Sequence, residues 1–322
     1  MKDAARPTEA PGISSMMDRR QFVATMSAAL AAGCSRRRPQ SIAAARPPLS
    51  FSTLGCPSWS WNQILDFAAA NEFAAIELRG IQGEMDLTKR PEFAPAQIAA
   101  TRTAVADHGL KIVCLGASAN MHEPDAAKRA AGLDEGRRFI DLAQALGAPY
   151  VRVFGNNWVK GETRDATLDR VAAGLRTLGD HARGADVTVI LETHGDFTDS
   201  PTILDIMRRA ASPTVALLWD AHHTFAFGHE DPEATARQLM PYVKHVHLKD
   251  SVPAGNDRRY VLTGTGEVPV RRQFEVLARH GYRGFYNFEW EKRWHPEIEE
   301  PEVAFAQYAR VAREYLRDAG RV

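Results

Sequence analysis

The feature that most limits what this chain can become is a rhythm that begins at Leu49. Short apolar runs rich in β-branched residues alternate with longer amphipathic runs. The strand-like runs are LSFSTLG (49–55), AAIELRG (74–80), KIVCLGA (111–117), YVRVFG (150–155), VTVILETH (187–194), VALLWDAHH (215–223), KHVHLKD (244–250) and FYNFEW (285–290). Between them, DEGRRFIDLAQALGA places Phe139, Ile140, Leu142 and Leu146 on one face and stops at Gly147. DATLDRVAAGLRTLGDHA does the same with Leu168, Val171, Leu175 and Leu178. Eight strands, each followed by a helix over about 270 residues, predict a single-domain α/β fold of the (β/α)8 barrel type. Right-handed crossovers favour one closed domain over 49–322 rather than two.

Residues 1–48 read as a leader and linker. Arg19-Arg20, followed by Gln21, Phe22, Val23 and an Ala-rich stretch, resembles a twin-arginine export signal. Met16 and Met17 are alternative starts that give it a conventional short n-region. AAGC resembles a lipobox with Cys34 as a candidate lipid anchor, although Ala31 stands where a larger aliphatic is usual. The expected location is periplasmic or exported, and cytoplasmic if the leader is no signal. No apolar run is long enough to span a bilayer. Cys34, Cys56 and Cys114 form no disulfide framework and no zinc spacing, so Cys56 and Cys114 are expected as buried thiols. Lys+Arg and Asp+Glu are 40 each, a balance that disfavours a nucleic-acid partner. Oligomeric state is not readable, because an outer apolar helix face looks like a core face.

Barrels place their chemistry at the C-terminal ends of the strands. Alternation puts Ile190 with Glu192, Leu218 with Asp220 and Asn287 with Glu289. In YVKHVHLKD it turns His245, His247 and Lys249 inward and Val246 and Leu248 outward, with His247 nearer the rim and His245 a layer deeper. Four successive strands therefore deliver Glu192, Asp220, His247 and Glu289 to one rim. Three carboxylates packed together repel and raise one another's pKa, and a divalent cation between them removes that cost. Three oxygens and one imidazole favour Mn²⁺ or Mg²⁺, then Co²⁺, with Zn²⁺ the weaker fit.

ILETHG, LLWDAHHTF, HVHLKD, TGTGEVP and HGYRGFYNFEWE, in this order, resemble the xylose isomerase-like TIM barrel family, the sugar phosphate isomerase/epimerase and hydroxypyruvate isomerase-like group. The likeness runs over about residues 49–316. It implies the same four metal ligands, and a substrate-side histidine at His223. It also implies a metal-dependent carbohydrate isomerase or epimerase. In that reading a chelated carbonyl and its neighbouring hydroxyl acidify a C–H, and Glu192 and Glu289 remove and return a proton through an enediolate. Expelling a β-hydroxyl instead gives a lyase or dehydratase acting on keto-sugars, keto-inositols or 3-keto-glycosides.

The pattern departs from the family at one place. The ketohexose 3-epimerases carry an arginine six residues after the metal histidine, and Pro253 stands there, with Arg258 and Arg259 further along the loop. Gly264-Thr265-Gly266 is expected as a structural turn rather than a phosphate cradle. Lys249 is either a substrate contact or a salt-bridge partner of Glu77 or Asp250. Arg152 either binds an anionic or hydroxyl-rich substrate or pairs with Glu77. His194 and His222 are candidate substrate contacts or orienters of the ligands. Trp59, Trp61, Trp158 and Trp290 fall on the active side, with packing as their default role. A DNA-repair endonuclease reading lacks the extra early-strand histidines of a three-zinc cluster, and a non-catalytic sugar-binding module is opposed by the complete ligand set.

Overall fold

The computed structural model describes residues 46–255 and 257–322. Arg19-Arg20 and Cys34 lie outside the described residues.

Strands β1 (Leu49–Ser52), β2 (Ala75–Leu78), β3 (Lys111–Asn120), β4 (Tyr150–Phe154), β5 (Thr188–Glu192), β6 (Val215–Asp220) and β7 (Val243–Leu248) follow in chain order. A short antiparallel hairpin, β8 (Asp250–Ala254) and β9 (Asp257–Val261), comes next, and then β10 (Tyr286–Phe288). β10 pairs with both β7 and β1, so eight parallel strands close into a barrel in the order β1-β10-β7-β6-β5-β4-β3-β2. The helices are α1 (Trp61–Ala70), α2 (Ile98–Asp107), α3 (Ala126–Leu146), α4 (Arg164–His181), α5 (Ser200–Ala210), α6 (Ala221–Ala226), α7 (Pro232–Leu239), α8 (Val270–Arg279) and α9 (Pro301–Asp318).

Local chemistry starts and stops these helices. Ser60 and Gln63 form a reciprocal capping box at the head of α1, while Asp125, Thr163, Asp199 and Asp231 each accept a backbone N–H at a helix start. Pro201 and Pro232 sit in the first turns of α5 and α7, where a missing N–H costs nothing. Gly147 ends α3 at φ 76°, a left-handed cap that glycine takes without penalty.

Two runs behave differently from expectation. The run 215–223 stays extended only to Asp220, because the Asp220 side chain accepts the His223 N–H and so starts α6. The run 244–250 ends at Leu248 and leads into the hairpin, so β7 is not followed directly by a helix. Nothing in the strand–helix rhythm announces the hairpin, since a short exposed ribbon has no core face to pattern.

Between strands and helices runs one continuous apolar shell. Inside the barrel, Ala75, Val113, Cys114, Ile190, Ala216 and Leu218 form a separate apolar plug at the lower end. Cys56 and Cys114 are free, buried thiols, and burial pushes both well above the ordinary range. Above the plug the interior turns polar, and Glu77, Arg152, His245 and His247 are all buried there.

Gly264-Thr265-Gly266 forms a turn closed on the protein itself. The Asp250 carboxylate accepts N–H bonds from Ser251, Gly264, Gly266 and Val268, at 2.8, 2.8, 2.9 and 3.2 Å. These four bonds pin the segment that follows the hairpin. Replacing Asp250 with Ala strands those donors, and urea unfolding should show a loss of about 2–4 kcal/mol. A loss within about 0.5 kcal/mol would show that the turn holds without the carboxylate.

Candidate metal centre

Register brings the strand-end residues together. Asp220 on β6 lies directly beside His247 on β7, and His247 lies beside Asn287 on β10, two residues before Glu289. Glu192 closes β5 one strand further round. One ligand atom from each of Glu192, Asp220, His247 and Glu289 falls within a mutual 4.8 Å, and all four side chains are buried.

A fifth residue sets the chemistry of this group. Glu77, on β2 across the barrel, accepts from Nε2 of both His245 and His247 at 2.9 Å. Burial raises its carboxyl, but the two imidazoles outweigh burial and hold it far below the usual carboxylate range. An ionised carboxylate only accepts, so the proton of His247 sits on Nε2. Nδ1 is then turned toward the carboxylates, 3.1 Å from Glu289 Oε2 and 3.3 Å from Glu192 Oε1, without hydrogen-bond geometry to either. Glu192 Oε2 also lacks a hydrogen-bond partner. A ring nitrogen and carboxylate oxygens converging with unused lone pairs fit a hard or borderline divalent cation, with Glu77 as the outer carboxylate that fixes the ligating tautomer.

Cationic side chains balance the surrounding charge. Lys249 Nζ reaches Asp220 Oδ2 at 2.5 Å and Glu291 Oε1 at 3.1 Å, and also contacts Glu289 Oε2. Lys249 thus pairs with neither Glu77 nor Asp250: Glu77 is occupied by two imidazoles and Asp250 by backbone N–H groups. Arg152 likewise misses Glu77. Its Nε lies 3.1 Å from Glu192 Oε2, Nη1 donates to the Ala117 carbonyl at 3.1 Å, and the guanidinium stacks over Phe154 at 3.9 Å. Burial raises Glu192, yet Arg152 and then His247 bring it below its ordinary value. Burial raises Asp220 to about 6 despite Lys249, with Glu289 and Glu192 adding to the rise.

Above the cluster opens a cavity of about 360 Å³. Its walls include Leu54, Arg79, Arg152, Phe154, Glu192, His194, His223, Tyr260, Glu289, Glu291, Trp294 and His295. His223 Nδ1 meets the Thr193 carbonyl at 3.2 Å, so that nitrogen carries the proton and Nε2 keeps its lone pair. Burial, reinforced by Lys249, keeps His223 neutral, well below the usual histidine range. Asn156 donates to Asn120 and accepts from His194 Nδ1 at 2.8 Å, which fixes His194 in the cavity wall. His222 is elsewhere: its Nε2 meets Ser251 Oγ at 2.8 Å beneath the hairpin. Arg258 bonds the same hydroxyl at 2.9 Å and pairs with Glu267, so it serves the hairpin.

Of the tryptophans singled out above, Trp59, Trp61 and Trp290 are packed in the core, and Trp158 stacks edge-on against Phe197. The cavity's own tryptophan is Trp294, which the sequence reading did not pick out, as it did not pick out Glu291, Tyr260 and His295. All four lie in the hairpin or beyond β10, where no alternation marks an inward face. EWEKRWH after Phe288 was the available signal, a charged and aromatic run at a strand end.

The chain matches the family model described as xylose isomerase-like TIM barrel over residues 65–317. L-ribulose-5-phosphate 3-epimerase from Salmonella typhi is 26% identical over 272 residues, covering 81% of this chain and 92% of that protein. Among solved structures, D-psicose 3-epimerase with D-tagatose from Clostridium cellulolyticum superposes with TM-score 0.66 at 17% identity, over 83% of this chain and 98% of the other. A xylose isomerase-like TIM barrel protein from Mycobacterium smegmatis in complex with magnesium superposes with TM-score 0.64 at 19% identity, over 85% and 97%. The closed barrel and the extent of the family match lead to one conclusion: this chain belongs to the xylose isomerase-like TIM barrel family.

Proposed function

We propose that the protein is a divalent-metal-dependent carbohydrate isomerase or epimerase. Glu192, Asp220, His247 and Glu289 are its metal ligands, and Glu192 and Glu289 its proton-transfer pair. The observation that carries this reading is the placement of His247 Nδ1, turned by the Nε2 contact with Glu77 toward three buried carboxylates. The epimerase relatives and the magnesium-bound neighbour support it. Mn²⁺ is the first choice of metal, then Mg²⁺ or Co²⁺, on hard-donor grounds. Arg19-Arg20 further suggests that the barrel is exported through the twin-arginine route behind a leader of residues 1–48.

A bound divalent cation would supply Lewis-acid polarisation of a carbonyl and its neighbouring hydroxyl, making the C–H between them acidic. The chain's own residues do the rest. Glu192 and Glu289 enter the cavity from β5 and from the end of β10, so a sugar carbon between them presents one face to each. Arg152 keeps Glu192 ionised and ready to accept a proton. Glu289 faces the carbon from the opposite side; His247 and Lys249 draw it well below its usual range against the effect of burial, so the proton it returns must first reach it from solvent or from Glu291, whose carboxyl is held up at about 7. Return to the same carbon inverts it, and return to its neighbour isomerises. Neutral His223, with Nε2 open to the cavity, positions a substrate hydroxyl.

The dehydratase alternative has one observation in its favour. Glu291 lines the cavity, and burial holds its carboxyl up at about 7, so it keeps a proton to hand to a leaving hydroxyl. Elimination products on a keto-sugar panel, with no isomers, would decide for it.

Metal analysis of the purified protein should find about one divalent ion per chain, and Asp220→Ala and His247→Ala should lose it; content unchanged by both would show the site misassigned. Metal and protons compete for the same atoms, so apparent Mn²⁺ affinity should climb with pH through about 6, as Asp220 gives up its proton. A flat affinity profile would contradict that donor set. In D₂O, turnover should wash deuterium into the substrate, and Glu289→Gln should slow this about 10²–10⁴-fold. Turnover with no deuterium entering the substrate would argue against the enediolate.

A further inference from the structure

Arg79 on the β2 side of the cavity has no role in the chemistry above. Its residue is only 7% exposed, yet among the described residues its sole side-chain hydrogen bond is a long 3.4 Å contact from Nη1 to the Gly116 carbonyl. No carboxylate described here stands within ion-pair distance of it; Glu192, Glu135 and Glu289 act on it only from further away. A guanidinium offers five N–H donors, so most of those of Arg79 have no protein partner; its Nε and Nη2 are not fully buried and open on the cavity. Burying a cation without a partner is costly, which makes such a residue a marker for an absent anion.

Arg152 converges on the same spot. A Cβ at Gly116 would lie 2.7 Å from Arg79 Cδ and 2.8 Å from Arg152 Nη2, so this strand position stays bare to let both side chains cross over β3. Arg152 holds Nε 3.1 Å from Glu192 Oε2 as an ion pair without hydrogen-bond geometry and donates Nη1 to Ala117, which leaves Nη2 toward the cavity. Burial and the Arg152 charge together pull Arg79 down to about 9, the mark of two cations held side by side without enough counter-charge.

We propose that Arg79 and Arg152 form a clamp for a carboxylate on the substrate, so that the enzyme acts on a sugar acid or keto acid rather than on a neutral sugar. The proposal rests on the metal-centred reading above, which places the reacting carbons at Glu192 and Glu289. Arg152 touches Glu192 itself, so the clamped anion lies next to those carbons. That placement fits a carboxylate on or beside the reacting centre, whereas the terminal phosphate of a sugar phosphate lies several carbons away. A planar carboxylate also matches the fork of a guanidinium in a bidentate way. Pro253, standing where the ketohexose 3-epimerases carry an arginine, agrees with a substrate other than a free ketohexose.

The test compares D-gluconate with D-glucitol, which share a hydroxyl chain and differ in the terminal carboxylate. Their binding is measured calorimetrically to wild type and Arg79→Gln, each with and without Mn²⁺, with inorganic phosphate as a third ligand and metal content read in every sample. Wild type should favour gluconate over glucitol by about 10- to 100-fold, and Arg79→Gln should erase the preference while keeping its metal. No preference in wild type overturns the clamp. A preference that survives in Arg79→Gln also overturns it, since the carboxylate then sits on the metal. Phosphate bound more tightly than gluconate, and lost in the variant, assigns the arginines to a phosphorylated sugar and overturns the carboxylate. Wild type without metal counts against the metal centre alone, and the metal-free comparison still decides the clamp.

Discussion

One buried carboxylate organises the barrel mouth. Glu77 takes the Nε2 proton bonds of His245 and His247, and in doing so chooses the tautomer of His247. Had His247 presented N–H toward β5 and β10, Glu192 and Glu289 would accept hydrogen bonds and the cluster would be a closed network. Because Nε2 is committed to Glu77, Nδ1 is the nitrogen left facing the carboxylates, and it has no hydrogen-bond partner among them. Everything above that cluster is then charge balance: Lys249 against Asp220, Glu289 and Glu291, and Arg152 against Glu192. The apolar plug below makes the arrangement rigid, since the polar layer rests on close-packed side chains.

The charge balance also explains why similar carboxylates differ. Glu192 and Glu289 face cations and stay ionised, while Asp220 and Glu291 are pushed up by burial and by their carboxylate neighbours. A site with two ionised and two raised carboxyls holds both proton acceptors and a proton donor near neutrality, which suits proton shuttling at carbon. On the proposed reading, separating these roles by environment rather than by residue type would let one constellation serve inversion, isomerisation or elimination.

Alternation with period 2 was enough to read the barrel, and to place Glu192, Asp220, His247 and Glu289 on one rim, because each lies within a residue of the end of a strand whose inward face is plain. It also put His245 a layer deeper, where Glu77 meets it. It could not say what stands opposite. Glu77 and His247 are 170 residues apart in sequence, and only closure of the barrel brings them to 2.9 Å. The partners of Lys249 and Arg152 were misread for the same reason: both choices depended on which side chains were already engaged. Arg79 was legible as a residue of the second strand but not as an unpaired one, since lack of a partner is a property of the packed interior. The hairpin and Trp294 lie where the chain leaves the strand pattern altogether.

The central claim is that His247 binds through Nδ1 a divalent ion shared with Glu192, Asp220 and Glu289. The most direct test is anomalous diffraction at the manganese edge from crystals of the protein grown with Mn²⁺. The account predicts one strong peak about 2.0–2.3 Å from His247 Nδ1 and from a carboxylate oxygen of each of the three acids, with His247 Nε2 still on Glu77. A peak elsewhere, a peak bound through Nε2, or no peak at this cluster would contradict it.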